Sequence, residues 1–180
     1  RCNYATVAKD GKVIDRRAGR IHDTAELSAA IQDGVDLSRY GVSFVFRSGA
    51  GHRASLALKG EGLGHCVSSN DPKKEGVAPL TIVPQKDAPV HRKTAEVCNE
   101  FVRQSAAILF DHPVNRKRLS EGKNPANMVL MRGAGEMGDY EPFDRRYGIS
   151  GSVISAASLI GGIGTAMAST AAALQERGYR

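Results

Sequence analysis

Apolar and polar residues alternate over 3–8 and again over 12–16, and the intervening Lys9-Asp10-Gly11 carries the Asp-Gly pair that tight hairpins favour. This pattern predicts two antiparallel strands at the head of the chain. Asp23-Thr24-Ala25-Glu26 has the form of a capping box, predicting a helix to about Ile31 or Gln32 that Gly34 closes. Residues 42–46 and 54–58 read as two short strands joined by a Gly-rich loop bearing His52 and Arg53. Residues 60–90 are rich in Gly, Pro and Asp and predict a long irregular excursion, with Thr81-Ile82-Val83 as a short edge strand. Val97, Phe101, Ile108 and Leu109 recur at helical spacing, predicting the longest helix over 93–112, ended by Pro113. Asn115 is placed to cap a short helix to about Glu121, stopped by Gly122. Met128-Val129-Leu130-Met131 predicts a strand that delivers Arg132 into Gly133-Ala134-Gly135, and two small-residue helices follow over about 152–160 and 165–177. Hairpins alternating with helices point to an α+β layered domain, a mostly antiparallel sheet covered by helices.

A length of 180 residues suits a single domain. The net charge of +6 and pI of about 9.4 favour acidic partners. Nucleic acid is not expected among them: there is no Trp, aromatics are 6%, and basic residues are spread along the chain without interleaved rings. Cys2, Cys66 and Cys98 are odd in number and lack metal-binding spacing, which predicts neither a disulfide framework nor a structural zinc and fits a reducing cytoplasm. No apolar run reaches the roughly 20 residues of a membrane helix, so no membrane partner is expected. The chain begins with Arg1, directly in a strand-like pattern, as expected of a domain excised from a longer protein.

Three predicted strand-to-loop junctions place Arg beside Gly: Asp15-Arg16-Arg17-Ala18-Gly19-Arg20, Gly49-Ala50-Gly51-His52-Arg53 and Arg132-Gly133-Ala134-Gly135. Guanidinium forks suit phosphate and carboxylate oxygens, and glycine lets backbone N–H groups approach the same anion. If these strands are neighbours, Arg16, Arg20, Arg53 and Arg132 converge on one oxyanion. Asp15 then orients an arginine or accepts from a substrate hydroxyl. Asn70-Asp71-Pro72 reads as a turn. His52 is singled out by its neighbours; His22, His65, His91 and His112 are not. Gly161-Gly162-Ile163-Gly164 lacks the strand–turn–helix context of a dinucleotide site. No nucleophile elbow and no metal-ligand motif is present.

In chain order, Arg1-Cys2-Asn3-Tyr4-Ala5-Thr6-Val7, the 15–20 cluster, Gly51-His52-Arg53-Ala54, Lys59-Gly60, Asn70-Asp71-Pro72, His112-Pro113-Val114-Asn115 and Arg132-Gly133-Ala134-Gly135 resemble one family. It is the archaeal-type cofactor-independent phosphoglycerate mutases of the alkaline phosphatase superfamily, and the likeness covers about residues 1–165. The resemblance implies that residues 1–180 are the inserted substrate-clamping domain of a longer metalloenzyme. It implies a serine nucleophile and two divalent ions, usually manganese, in a phosphatase-like domain outside this chain. It also implies phosphoglycerate as ligand, and Asp15, Arg16, Arg20, His52, Arg53 and Arg132 as the substrate shell, with no catalytic or metal-binding residue in this segment. The chain departs from the family at Ser69-Asn70-Asp71-Pro72-Lys73, where an acidic residue usually precedes Asp-Pro and a histidine follows it, and again in the tail after Gly164. A related phosphotransferase acting on another small phosphorylated or phosphonylated substrate, and a stand-alone anion-binding domain, remain as alternatives.

Overall fold

Strand β1 (Cys2–Val7) is buried along nearly its whole length, as its run of short apolar and polar residues requires of a central strand. On one edge it pairs antiparallel with β5 (Met128–Met131), from Cys2 opposite Met131 to Ala5 opposite Met128. On the other edge it pairs first with β4 (Arg53–Lys59), Asn3 opposite Arg53, and then with β2 (Val13–Asp15), Thr6 opposite Asp15. β3 (Ser43–Ser48) completes the sheet beyond β4. The computed structural model describes residues 1–136, 138, 140–151, 153 and 162–164, and the chain divides into compact units Arg1–Glu136 and Met137–Arg180. Apart from residue 153, the helices predicted over 152–160 and 165–177 lie outside the described residues.

Helices α1 (Ala25–Gly34) and α2 (Pro89–Phe110) cover one face of the sheet, giving the α+β arrangement the sequence predicts. Tyr4, Phe46 and Phe101 are fully buried there, in a chain of tilted and edge-on rings with centroids 6.1 and 5.3 Å apart. Burying each such ring contributes roughly 2–3 kcal/mol. α2 presents Ala95, Val97, Cys98, Phe101 and Leu109 to this core at helical spacing. On the opposite face of the sheet lies a smaller apolar cluster of Ala5, Val13 and Leu130.

The differences from the predicted elements come partly from long-range packing and partly from local helix starts. α1 runs through Gly34, and the next residue closes it by donating from Val35 N–H to the Ile31 carbonyl. Gly34 is thus the last residue of α1, as its closing role predicts, and it also permits helix contact: a Cβ there would lie 2.9 Å from Ile108 Cδ1 of α2. α2 begins at Pro89, earlier than predicted, because proline suits a first helical turn. Residues 81–83 form no strand. A single bridge joins Val67 to Pro84, and Asn99 of α2 holds Ile82 through both its backbone N–H and its carbonyl.

α3 (Pro113–Ser120) is capped by His112, whose Nδ1 accepts from Val114 N–H; Asn115 is not the cap. Asn115 is fully buried and cross-links the chain, donating to the carbonyls of Leu109 and Ala126 and accepting from Ala126 N–H. In the second unit, α4 (Phe143–Tyr147) is a short helix that ends at Gly148 and packs the Phe143 and Tyr147 rings 4.9 Å apart. Among the described residues no helix is long and apolar enough to cross a membrane.

Asn115→Ala deletes three hydrogen bonds from a site closed to water, and we expect a loss of about 2–4 kcal/mol in unfolding free energy. Urea denaturation reads this as a lower midpoint at unchanged slope. A loss under about 0.5 kcal/mol would show that the join between α3 and the approach to β5 holds without it.

Candidate functional site

Because β2 and β4 share one edge of β1, the turn leaving β2 and the turn entering β4 meet across Tyr4 and Ala5. Tyr4 N–H donates to the carbonyl of His52 at this junction. Side chains alternate along β1, so Asn3, Ala5 and Val7 lie on the face that α1 and α2 leave free. Arg53 stands opposite Asn3 on β4, and Leu130 stands opposite it on β5. Arg132 follows two residues after Leu130, and Arg16 follows Asp15, whose side is that of Thr6. Arg16, Arg53 and Arg132 thus come to the same helix-free face.

The 15–20 turn is held by Asp15. Its carboxylate accepts from Arg17 N–H (2.7 Å), Gly19 N–H (2.6 Å) and the Asn124 side-chain amide (3.0 Å). Burial pushes this carboxyl up, but those hydrogen bonds and the nearby His52 outweigh it, and the group titrates below the ordinary 3.8. Arg118 fastens the same turn by donating to the Ala18 carbonyl at 2.9 Å. Ala18, Gly19 and Arg20 all have positive φ, between 47° and 63°. Among the described residues three non-glycines take positive φ: Ala18, Arg20 and Lys73. All three lie in the two loops that meet at the arginine cluster, and each costs on the order of 1–3 kcal/mol. Gly51, at φ +63°, answers a different need: a Cβ there would sit 3.2 Å from the Ile21 carbonyl oxygen.

The carboxylate that orients an arginine is Asp71, in the segment the sequence reads as a turn. Asp71 accepts from Arg16 Nε at 2.9 Å and Arg16 Nη2 at 2.7 Å, a two-pronged pair, and lies 3.6 Å from Arg132 Nη1. Its side chain is 2% exposed, whereas those of Arg16 and Arg132 are 27% and 35% exposed. The loop is docked by its neighbours. Asn70 donates to the Val129 carbonyl and accepts from Met131 N–H, and Ser69 Oγ donates to the Met131 carbonyl. Farther along, Gly76 and Val77 exchange backbone hydrogen bonds with Val13 of β2. Burial pushes the Asp71 carboxyl up; the Arg16 side chain, Lys73 N–H and the charges of Arg16 and Arg132 together hold it below the ordinary 3.8.

Arg132 Nε is buried and has no hydrogen-bond partner among the described residues. A buried N–H left unpaired costs about 1–3 kcal/mol, which an incoming oxyanion would recover. Burial and then the charge of Arg1 weaken the Arg132 guanidinium, Asp71 supports it, and Arg16 and Arg17 oppose it. His52 is half-buried within reach of Arg53, Arg17, Asp15 and Arg132. Burial first, and then those cations, lower its pKa from the ordinary 6.5 despite Asp15. Arg20 stands apart: it is exposed, and no contact among the described residues joins its guanidinium to Asp71. Arg17 and Asp71 are members of the cluster that the motif reading passes over.

The thiols of Cys2 and Cys98 are pushed up to about 12 and about 11 by burial, which makes them poor nucleophiles. Among the described residues no group of three or more His, Cys, Asp or Glu could hold a metal ion. The arrangement therefore offers cationic forks and fixed geometry for an anion.

The α+β layering recurs in a known protein. The solved cofactor-independent phosphoglycerate mutase from Thermoplasma acidophilum matches with a TM-score of 0.70 at 37% identity, over 81% of this chain and 39% of that one. In sequence, the chain is 63% identical over 167 residues to the 2,3-bisphosphoglycerate-independent phosphoglycerate mutase of Methanosphaerula palustris, covering 93% of this chain and 41% of the relative. For the protein of the same name from Methanoculleus marisnigri the figures are 64% over 164 residues, 91% and 40%. The family model for 2,3-bisphosphoglycerate-independent phosphoglycerate mutase matches residues 1–115, and the chain belongs to that family. It spans about two fifths of the length of the curated relatives it matches.

The charge balance around His52 is open to measurement. Since its folded pKa lies below the unfolded 6.5, its contribution to stability is full above that pH and is lost as pH falls to the folded value. NMR titration of the ring should give a midpoint below 6.5, and Arg53→Ala should raise it. A midpoint unmoved by that substitution would place Arg53 away from the ring.

Proposed function

We propose that this chain is the substrate-clamping part of a 2,3-bisphosphoglycerate-independent phosphoglycerate mutase, acting with a phosphatase-like part of the same protein to interconvert 2- and 3-phosphoglycerate. One observation carries the reading: Arg16 and Arg132 meet on a buried carboxylate with Arg132 Nε unpaired, in a chain spanning about two fifths of its mutase relatives.

In this reading Arg16, Arg53 and Arg132 hold the phosphate and carboxylate oxygens of the ligand, and His52 supplies an imidazole at their edge. Asp15 acts through the turn it closes, and Arg20 adds positive potential from the rim. Holding the glycerate in place is the larger part of what phosphoryl transfer asks of a protein, together with charge stabilisation. The divalent ions expected in the enzyme find no donor set among the described residues, and arginines are unsuited to ligate them. No metal-dependent step is assigned to this chain. Its three cysteines are free, as suits a cytoplasmic setting.

Calorimetric titration of the intact protein with 3-phosphoglycerate, against inorganic phosphate and glycerol 3-phosphate, tests the reading. Saturable binding that favours phosphoglycerate is expected, and Arg53→Ala should weaken it by about 1.5–3 kcal/mol. Equal affinity for all three ligands would overturn the assignment. The 180-residue chain by itself should show no mutase turnover with added manganese, and turnover by the pure chain would refute the clamp-only role.

A further inference from the structure

Asp71 accepts three hydrogen bonds from within the protein and faces a second guanidinium. Oδ1 accepts from Arg16 Nε and from Lys73 N–H, and Oδ2 accepts from Arg16 Nη2 while facing Arg132 Nη1 at 3.6 Å. Ser69 Oγ accepts from Asp71 N–H, and Asn70 pins the segment to β5, so the carboxylate cannot follow a mobile arginine. The side chain is 2% exposed and both its oxygens face guanidiniums or the Lys73 N–H, so it meets the arginines before any ligand. Its effect must pass through the arginines.

What Asp71 leaves unoccupied is equally informative. It takes the side-on edge of Arg16, formed by Nε and Nη2, and leaves the Nη1–Nη2 edge without a partner among the described residues. That edge is a second fork matched to a two-oxygen anion. Arg132, whose Nη1 faces the same Asp71 oxygen that Arg16 Nη2 bonds, keeps its buried Nε without a partner among the described residues. Two guanidiniums that would repel are thereby bridged through one oxygen, and each keeps a donor without a partner among the described residues.

Resting on the clamp reading above, we infer that Asp71 is the positioning residue of the anion site: by bracing Arg16 against Arg132, it makes the pair select a ligand with two anionic ends over a lone phosphate. This inference separates geometry from charge. Removing the carboxylate raises the positive potential of the cluster and favours any anion. It also frees the arginines to turn, which weakens a ligand that must meet both at once.

The test uses the intact protein and two ligands, 3-phosphoglycerate and inorganic phosphate, with thermal melting as the control for folding. Asp71→Asn should lose roughly 10- to 100-fold in 3-phosphoglycerate affinity, while phosphate affinity holds or tightens. In an Arg16→Ala background the same substitution should cost less than about threefold, because the brace has lost its arginine. Arg16→Lys keeps the charge but not the side-on fork, and should show the same selective loss if Asp71→Asn proves too unstable to assay. Parallel losses for both ligands, full additivity with Arg16→Ala, or unchanged 3-phosphoglycerate affinity would each overturn the role of Asp71. A wild-type protein with no preference for 3-phosphoglycerate over phosphate would instead overturn the clamp reading itself.

Discussion

Strand β1 has two edges and three neighbours, and the site follows from how that conflict is resolved. β5 takes one edge, and β4 and β2 divide the other. Two strands sharing an edge must abut, so the turn leaving one faces the turn entering the other. The left-handed residues Ala18, Gly19 and Arg20 are needed to turn the chain away at that junction, and the hydrogen bonds of Asp15, Arg118 and Asn124 offset their strain. With α1 and α2 covering the other face, the cations carried by these turns are left on the helix-free side.

Arg16 and Arg132 on that side share one buried acid. Arg16, Arg17, Arg53 and Arg132 would repel one another if left to themselves, and burial adds to the penalty at Arg132. Asp71 is the buried counter-charge, and its loop is anchored at both ends to strands that carry the arginines. The long excursion between β4 and α2 is therefore a strap across the site whose irregularity lets it cross from β5 to β2.

Local signals carried much of the architecture. The Asp-Gly hairpin, the period-two runs and the helical spacing of Val97, Phe101 and Leu109 are short-range patterns, and the layered α+β fold is legible from them. What escapes is whatever depends on a distant partner. Gly34 ends its helix as it reads, but its close approach to Ile108 is not legible locally. Asn115 has the look of a cap, yet its partners include Ala126. The arginine-glycine junctions identify Arg16, His52, Arg53 and Arg132, since each lies beside its own strand end. Asp71 is invisible by the same reasoning, because Arg16 is 55 residues away and an Asp-Pro step is an ordinary turn signal. Asp15, the acid nearest the arginines in sequence, is spent on closing its own turn.

The docking of Ser69 and Asn70 on β5 has a consequence beyond the arginines. Their side chains take up the outward N–H and carbonyl of Met131 and the carbonyl of Val129, as a neighbouring strand would. At the far edge Gln32 does the same for Phe46 N–H and the Phe44 carbonyl of β3. Exposed strand edges are templates for pairing with foreign chains, and here the Asn70 and Gln32 amides and the Ser69 hydroxyl occupy part of them at both margins. Fewer backbone groups are thus left open to another strand, and the loop that holds Asp71 beside Arg16 and Arg132 is also the cover of the β5 edge.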